Sequence, residues 1–155
     1  MKLQLLLPLA AGLALLTSPA VAADTPDMTG AWLVDPVKSN FGPMPAPEDL
    51  RLDIRVEGGE FYVKQSGGGQ PEFELHFNTS GKEVANQLPG ARMTSTHRWE
   101  GAVLVGEIKV DADDGTTLTF KDRISYSPDG KVMTMKRDMS GPMGDAQMTL
   151  VLNKK

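Results

Sequence analysis

Two charged residues interrupt apolar strand faces near the end of the chain. Asp122 lies in the run whose apolar positions are Leu118, Phe120, Ile124 and Tyr126, and Arg137 lies in the run that follows it. If residues 129–130 form a two-residue turn, the two charges lie opposite each other, whereas a type I turn with a glycine bulge separates them. A buried charge needs a partner. We therefore expect a structural ion pair or, alternatively, a polar anchor for a ligand in an apolar pocket.

Methionine stands out in the composition, with nine residues in all. Met133, Met135 and Met139 share one face of a predicted strand, and the residues on the opposite face are polar. Methionine adapts to irregular interiors, so the preferred interpretation is packing inside the fold, and a second is a plastic apolar cavity for a small ligand. A third interpretation is a soft-metal site for Cu(I) or Ag(I), with His97 and Trp99 beside the thioethers.

The sequence shows no arrangement typical of a catalytic site. His76 and His97 are the only histidines, too few for a zinc site without carboxylates. No nucleophile elbow or ordered triad is present, and the glycine run at residues 67–69 precedes a strand, not the helix of a phosphate loop. An enzyme would need a strongly perturbed titratable group, for which Asp122 and His97 are the candidates. We expect no enzymatic activity and no cofactor.

The elements that must position these residues are predicted to be β-strands. From Leu50 onward, apolar and polar residues alternate with a period of two, beginning with the apolar face of Leu50, Leu52, Ile54 and Val56. With a first strand at residues 30–34 included, turn residues separate about nine strands, at the spacing of an all-β sandwich or barrel. Residues 82–90 form the longest connection after Leu50. Since most connections are short, the sequence predicts an all-β, up-and-down antiparallel meander that closes into a single barrel of about eight to ten strands.

The first 23 residues are predicted to be a secretory signal peptide. Lys2 provides a positive n-region, residues 3–16 are apolar, and residues 20–22 give the small-x-small pattern that precedes cleavage. The apolar run is shorter than the ~20 residues of a transmembrane helix. The mature chain is therefore expected to begin at Ala23 or Asp24.

The remaining 132 residues, 24–155, are expected to form a single domain. They contain no cysteine, which excludes disulfides, a thiol nucleophile and a lipidated cysteine anchor. Without Lys2 there are 15 basic residues against 20 acidic ones, which argues against nucleic acid and anionic membranes as partners. We expect a bacterial periplasmic or secreted protein with no membrane anchor.

The first predicted strand begins with Gly30-x-Trp32. In an exported chain this motif, followed by a meander, resembles the calycin superfamily of lipocalins, avidins and their bacterial relatives. The segment that continues through Asp35-Pro36-x-Lys38-Ser39-x-Phe41 also resembles small exported bacterial proteins described as lipocalin-like. The resemblance implies a calycin-like barrel in which Trp32 packs across one end beneath an arginine, here Arg123 or Arg137. It also implies a small apolar molecule inside the barrel.

The predicted site therefore lies in the barrel interior. The expected ligand-binding residues are Trp99, Phe120, Tyr126, Met133, Met135, Met139, Asp122 and Arg137. An eight-stranded barrel can also be filled by its own side chains, and in that case the protein would be a structural or protein-interaction module. Soft-metal binding through the methionines is the lesser alternative.

Overall fold

The computed structural model describes residues 24–155, which form ten β-strands and no helix. The signal peptide predicted for residues 1–23 lies outside the described residues. Within the described part, no helix is long and apolar enough to cross a membrane. The strands are β1 (Gly30–Val34), β2 (Arg51–Glu57), β3 (Glu60–Ser66), β4 (Phe73–Asn78), β5 (Val84–Leu88), β6 (Ala91–Glu100), β7 (Val103–Ala112), β8 (Thr117–Tyr126), β9 (Val132–Gly141) and β10 (Gly144–Lys154).

All ten strands belong to one antiparallel sheet in the order β4-β3-β2-β1-β10-β9-β8-β7-β6-β5. Each strand thus pairs with its sequence neighbours, except across the gap between β4 and β5, and β1 pairs with β10. The sheet curls until β4 approaches β5 and β6, where an isolated bridge joins Ser80 to Arg98. The predicted all-β meander closing into a barrel is confirmed, with ten strands in a nearly closed ring.

The tenth strand is β5, which the sequence pattern assigned to the connection over residues 82–90. This assignment was wrong, because the inward positions of β5 do not read as an apolar face: Asn86 lies between Val84 and Leu88. Asn86 is opposite the buried Met93 on β6, so its side chain belongs to the interior side of the sheet. A polar side chain at an inward position hides the alternation on which strand prediction depends.

The end of the barrel that holds the start of β1 and the end of β10 is densely packed, and we call it the Trp32 end. Trp32 is completely buried, makes an edge contact with Tyr126 and donates from Nε1 to the carbonyl oxygen of Met28 at 2.9 Å. The ammonium group of Lys154 lies 5.3 Å from the Trp32 ring centroid. Lys154 therefore occupies the place that the resemblance gave to an arginine.

The opposite end of the barrel, which we call the loop end, carries the connection over residues 35–50. Its interior side chains are only half-buried, among them Phe73, Leu88, Val110 and Phe120. At the Trp32 end Met28, Trp32, Leu104 and Met133 are buried, although Tyr126 is half-buried. The interior is therefore closed at the Trp32 end and accessible toward the loop end.

Candidate ligand-binding site

The barrel encloses a cavity of about 280 Å³. Alternation within the strands directs apolar side chains into the cavity from all ten strands. Strands β2, β3, β4, β7, β8 and β9 each contribute two or more of them, and β1, β5, β6 and β10 contribute one each. The polar side chains that reach it are Gln65, His97, Asp122 and Arg137, together with the phenol of Tyr126. An apolar cavity with a few polar groups is the usual composition of a small-molecule site.

Asp122 and Arg137 form a bidentate ion pair inside the barrel. They lie directly opposite each other on β8 and β9. The connection is not the two-residue turn on which this pairing was predicted to depend. Gly130 N–H donates to the carbonyl oxygen of Ser127, and Ser127 N–H donates to that of Val132, so the loop is longer but symmetric about residues 129–130. Arg137 donates from Nε and Nη2 to the two carboxylate oxygens at 2.7 and 2.6 Å, and the Asp122 side chain is 2% exposed. The guanidinium carbon also lies 5.0 Å from the centroid of the Phe120 ring. The two hydrogen bonds therefore fix both side chains, and the face of the Phe120 ring packs against the guanidinium group.

The charge of Arg137 is stabilised in spite of its burial. Burial by itself lowers the pKa of a guanidinium, but the hydrogen bonds and the negative charge of Asp122 outweigh that effect and leave the Arg137 pKa raised. The pair therefore carries a full positive and a full negative charge, whose sum is zero.

The ion pair belongs to a row of residues that face each other across five strands. The row runs from His97 on β6 through Gly106, Asp122 and Arg137 to Met148 on β10. Gly106 leaves the space that the imidazole occupies, because a Cβ atom there would lie 2.5 Å from Cδ2 and 2.6 Å from Nε2 of His97. A missing side chain on β7 thus lets the His97 ring lie across the sheet toward Asp122.

His97 is buried between aromatic rings. It makes edge contacts with Phe61 and Phe77 at centroid distances of 5.5 and 4.9 Å. Its Nδ1 and the hydroxyl of Ser95 are enclosed without a hydrogen-bond partner among the described residues. Burial lowers the pKa of His97 to about 4, and the nearby charge of Arg137 acts in the same direction while Asp122 opposes it. His97 is therefore neutral at physiological pH.

Six of the eight residues predicted to bind a ligand line the cavity: Phe120, Asp122, Tyr126, Met133, Met135 and Arg137. Met139, opposite Phe120 near the loop end, is half-buried and is not among the lining residues. Trp99 lies at the other end, where it lines a separate recess with Met28. Of the three methionines on the predicted face of β9, Met133 and Met135 therefore form part of the cavity wall and Met139 does not.

Sequence reasoning left out an aromatic group on β3 and β4 that forms the opposite wall. It consists of Phe61, Phe73 and Phe77, of which Phe61 and Phe77 stack at 5.0 Å. The signal was present, because Phe61 and Phe77 occupy apolar positions of alternating runs. Alternation within one strand does not show which strands face each other across a closed barrel.

The described residues contain no cluster of three or more His, Cys, Asp or Glu side chains placed to hold a metal ion. Met133, Met135 and His97 do line the same cavity. A second concavity, of about 480 Å³, lies over the outer face of β7–β10 and is lined by exposed side chains of both charges, including Lys121, Lys136 and Asp138. Because this concavity is open to solvent and bordered by charged side chains, it offers a small apolar molecule little shelter from water.

No protein-family model matches the sequence, and no match is found among curated proteins. Solved structures with the same fold include a secretory abundant heat soluble protein from Ramazzottius varieornatus, with a TM-score of 0.61, 12% identity, and coverage of 83% of this chain and 95% of that one. The zebrafish ileal bile acid-binding protein, solved with cholic acid, gives a TM-score of 0.59 at 16% identity, covering 82% and 98%. These likenesses establish a calycin-like β-barrel fold for this chain.

Proposed function

We propose that this chain is a non-enzymatic binding protein that holds a small apolar molecule inside its barrel. The observation that carries the proposal is the cavity of about 280 Å³, which is lined mainly by apolar side chains and contains one buried ion pair. Burial of apolar surface supplies the affinity in such a site, and the few polar groups orient the ligand.

The size of the cavity limits the size of the ligand. Since a water molecule occupies about 30 Å³ in the liquid, the cavity has room for roughly ten water-sized groups. Because bonded atoms pack more closely than water molecules do, a molecule of about ten to twenty non-hydrogen atoms would fill it, with longer tails reaching the half-buried side chains of the loop end. The bile acid-binding protein of the same fold, solved with cholic acid, supports a small-molecule ligand for this barrel, without fixing its charge.

We also propose that the protein works outside the cytoplasm of a bacterium, in the periplasm or as a secreted protein. The support is the signal-peptide pattern of residues 1–23 together with the absence of cysteine from the sequence. Edman sequencing or intact-mass analysis of exported material should find Ala23 or Asp24 at the N-terminus. An uncleaved Met1 in exported material would contradict this proposal.

Binding can be tested with N-phenylnaphthylamine, an uncharged probe that fluoresces in apolar surroundings. We expect saturable binding to the full mature protein and displacement by a lipid extract. The matched control is Val110→Trp, which puts a large side chain into the cavity from a half-buried position near the loop end and should abolish binding. Native mass spectrometry of the purified exported protein should show a small co-purifying molecule. Failure of the wild-type protein to bind the probe would indicate a filled barrel instead.

A further inference from the structure

We propose that the cavity selects neutral ligands with a hydroxyl or carbonyl group and rejects ionised carboxylates, because the one guanidinium in its wall is already paired with a carboxylate of the protein. The proposal rests on the ligand-binding function above and specifies the ligand class. It follows from three features of the row that contains His97, Asp122 and Arg137.

The first feature is the charge balance of the cavity wall. Among the described residues that line the cavity, Arg137 and Asp122 are the two that carry a permanent charge at neutral pH, and they cancel. His97, the other titratable residue of the row, is enclosed and neutral. No positive charge is therefore left over in the wall to compensate an anionic ligand.

The second feature is that Asp122 already uses hydrogen-bond donors of the Arg137 guanidinium group. It accepts hydrogen bonds from Nε and one terminal nitrogen, which together form an edge of the guanidinium that binds a carboxylate through two parallel hydrogen bonds. A ligand carboxylate could use this edge only by displacing Asp122, which would leave an unpaired carboxylate that is 2% exposed. If it bound beside Asp122 instead, two negative charges would share one guanidinium in apolar surroundings. Both arrangements are strongly unfavourable.

The third feature is what the ion pair still offers to a ligand. Asp122 leaves Nη1 of Arg137 for another partner, and a carboxylate oxygen can accept more than one hydrogen bond. A hydroxyl can donate to the carboxylate and accept from the guanidinium, and a carbonyl can accept from the guanidinium. Neither adds net charge to the interior. A neutral polar group on an apolar chain thus complements the row.

The experiment compares decanol with decanoate, which have the same chain and differ in charge. Both fall within the size range set by the cavity, and at pH 7.5 the carboxyl of decanoate is ionised. Each is titrated against bound N-phenylnaphthylamine on the full mature protein, decanol below its aqueous solubility and decanoate below its micelle-forming concentration. We expect decanol to displace the probe at a concentration lower by roughly tenfold or more, the ratio that a charge mismatch in an apolar site produces.

The variant that tests the cause is Asp122→Asn, which keeps the shape of the side chain and releases the charge of Arg137. We expect the preference to reverse, so that decanoate becomes the better ligand. Asp138→Asn, the same substitution at an exposed position on the outer face of β9, is the matched control and should keep the preference for decanol. If Asp122→Asn does not fold, Gln65→Lys adds an unpaired positive charge to the cavity wall from a half-buried position and leaves the ion pair in place. Decanoate should then gain on decanol, and no gain in this variant would overturn the inference.

The outcomes separate this inference from the function on which it rests. Equal displacement by the two ligands, or better displacement by decanoate, in the wild-type protein overturns the inference and leaves apolar-ligand binding intact. A preference for decanol that survives unchanged in a folded Asp122→Asn variant also overturns it, because the ion pair would not be its cause. If the probe itself does not bind to the wild-type protein, the proposed function fails.

Discussion

At the scale of single residues, the interior depends on one position where a side chain is missing. Gly106 has the extended backbone of a strand, so its role is steric and not conformational. A methyl group at this position would overlap the imidazole of His97. Because the ring is held between Phe61 and Phe77, it has little room to move aside. The positions of His97 and of the ion pair beside it are therefore set partly by the neighbouring strand.

The burial of His97 predicts a pH-dependent stability. Its folded pKa of about 4 lies below the value of about 6.5 expected in the unfolded chain, so the unfolded state binds the proton first as the pH falls. The contribution of the neutral His97 side chain to the unfolding free energy is therefore fully present above about pH 6.5. About 3 kcal/mol of that free energy is lost as the pH falls from 6.5 to 4. Urea unfolding measured across this range should show the loss.

The control for this prediction is His97→Asn, which removes the titrating group. The variant has its own stability at pH 7, but its unfolding free energy should lack the His97 contribution as the pH falls. His76→Asn, a substitution of the half-exposed histidine on β4, should retain that contribution. Equal pH dependence of the wild-type protein and His97→Asn would show that the ring is not buried in its neutral form.

The methionines of β9 are expected to contribute unequally to stability. Met133 is 1% exposed and Met139 is half-buried, although both belong to the inward side of the strand. Met133→Ala should lower the unfolding free energy by about 2–5 kcal/mol, as truncation of a buried methionine does. Met139→Ala should cost clearly less, since its site is open to solvent. Chemical unfolding of both variants at one pH gives the comparison, and a larger loss for Met139→Ala would contradict the assignment of the closed end.

The sequence allowed the residue-scale prediction of the Asp122–Arg137 pair and not that of the His97 environment. The pair follows from two alternating runs and one short turn, which are local features. The contacts of His97 with Phe61 and Phe77 join strands that are far apart in the sequence and meet only when the barrel closes. Strand alternation fixes the direction of a side chain but not its partner across an interior.

At the scale of elements, the weak point of the barrel is the gap between β4 and β5. Instead of a strand ladder, the side-chain amide of Asn86 bridges it, accepting from the main-chain N–H of His76 at 2.9 Å and donating to its carbonyl oxygen at 2.7 Å. The carboxamide thus makes the two hydrogen bonds that a backbone partner would make. The polar residue that concealed β5 in the sequence is the one that holds the gap together.

We predict that Asn86→Ala loosens this gap. The substitution leaves the N–H and C=O of His76 without partners in a half-buried position, which should cost about 1–3 kcal/mol of unfolding free energy. Hydrogen exchange of the His76 amide should become faster, while amides in the centre of β8 keep their protection. Asn86→Asp keeps the acceptor but places a carboxylate oxygen against the carbonyl oxygen of His76, so it should also lower the unfolding free energy. Unchanged exchange at His76 would show that the amide does not bridge the gap.

At the scale of the whole molecule, closing the sheet produces two unlike ends. The Trp32 end is sealed by Trp32, Tyr126 and the carbonyl contact with Met28, whereas the interior side chains of the loop end stay half-buried. The antiparallel pairing of most sequence neighbours could be predicted because short turns enforce it, whereas the tenth strand, β5, and the gap beside it could not. The unequal filling of the two ends could not be predicted from the sequence, because it depends on the volumes of side chains from all ten strands together.

The cavity predicts that a bound apolar molecule stabilises the barrel as one unit. A ligand that binds the folded state alone, at about 100 times its Kd, adds about 2.7 kcal/mol to the unfolding free energy. For a chain of this size the unfolding entropy converts that into a rise in Tm of about 10 °C. Calorimetry with N-phenylnaphthylamine should show this rise in the wild-type protein.

The Val110→Trp variant, whose cavity is occupied by its own side chain, should unfold at the same temperature with and without the probe. A rise of equal size in both proteins would mean that the probe binds outside the barrel, because only the interior differs between them.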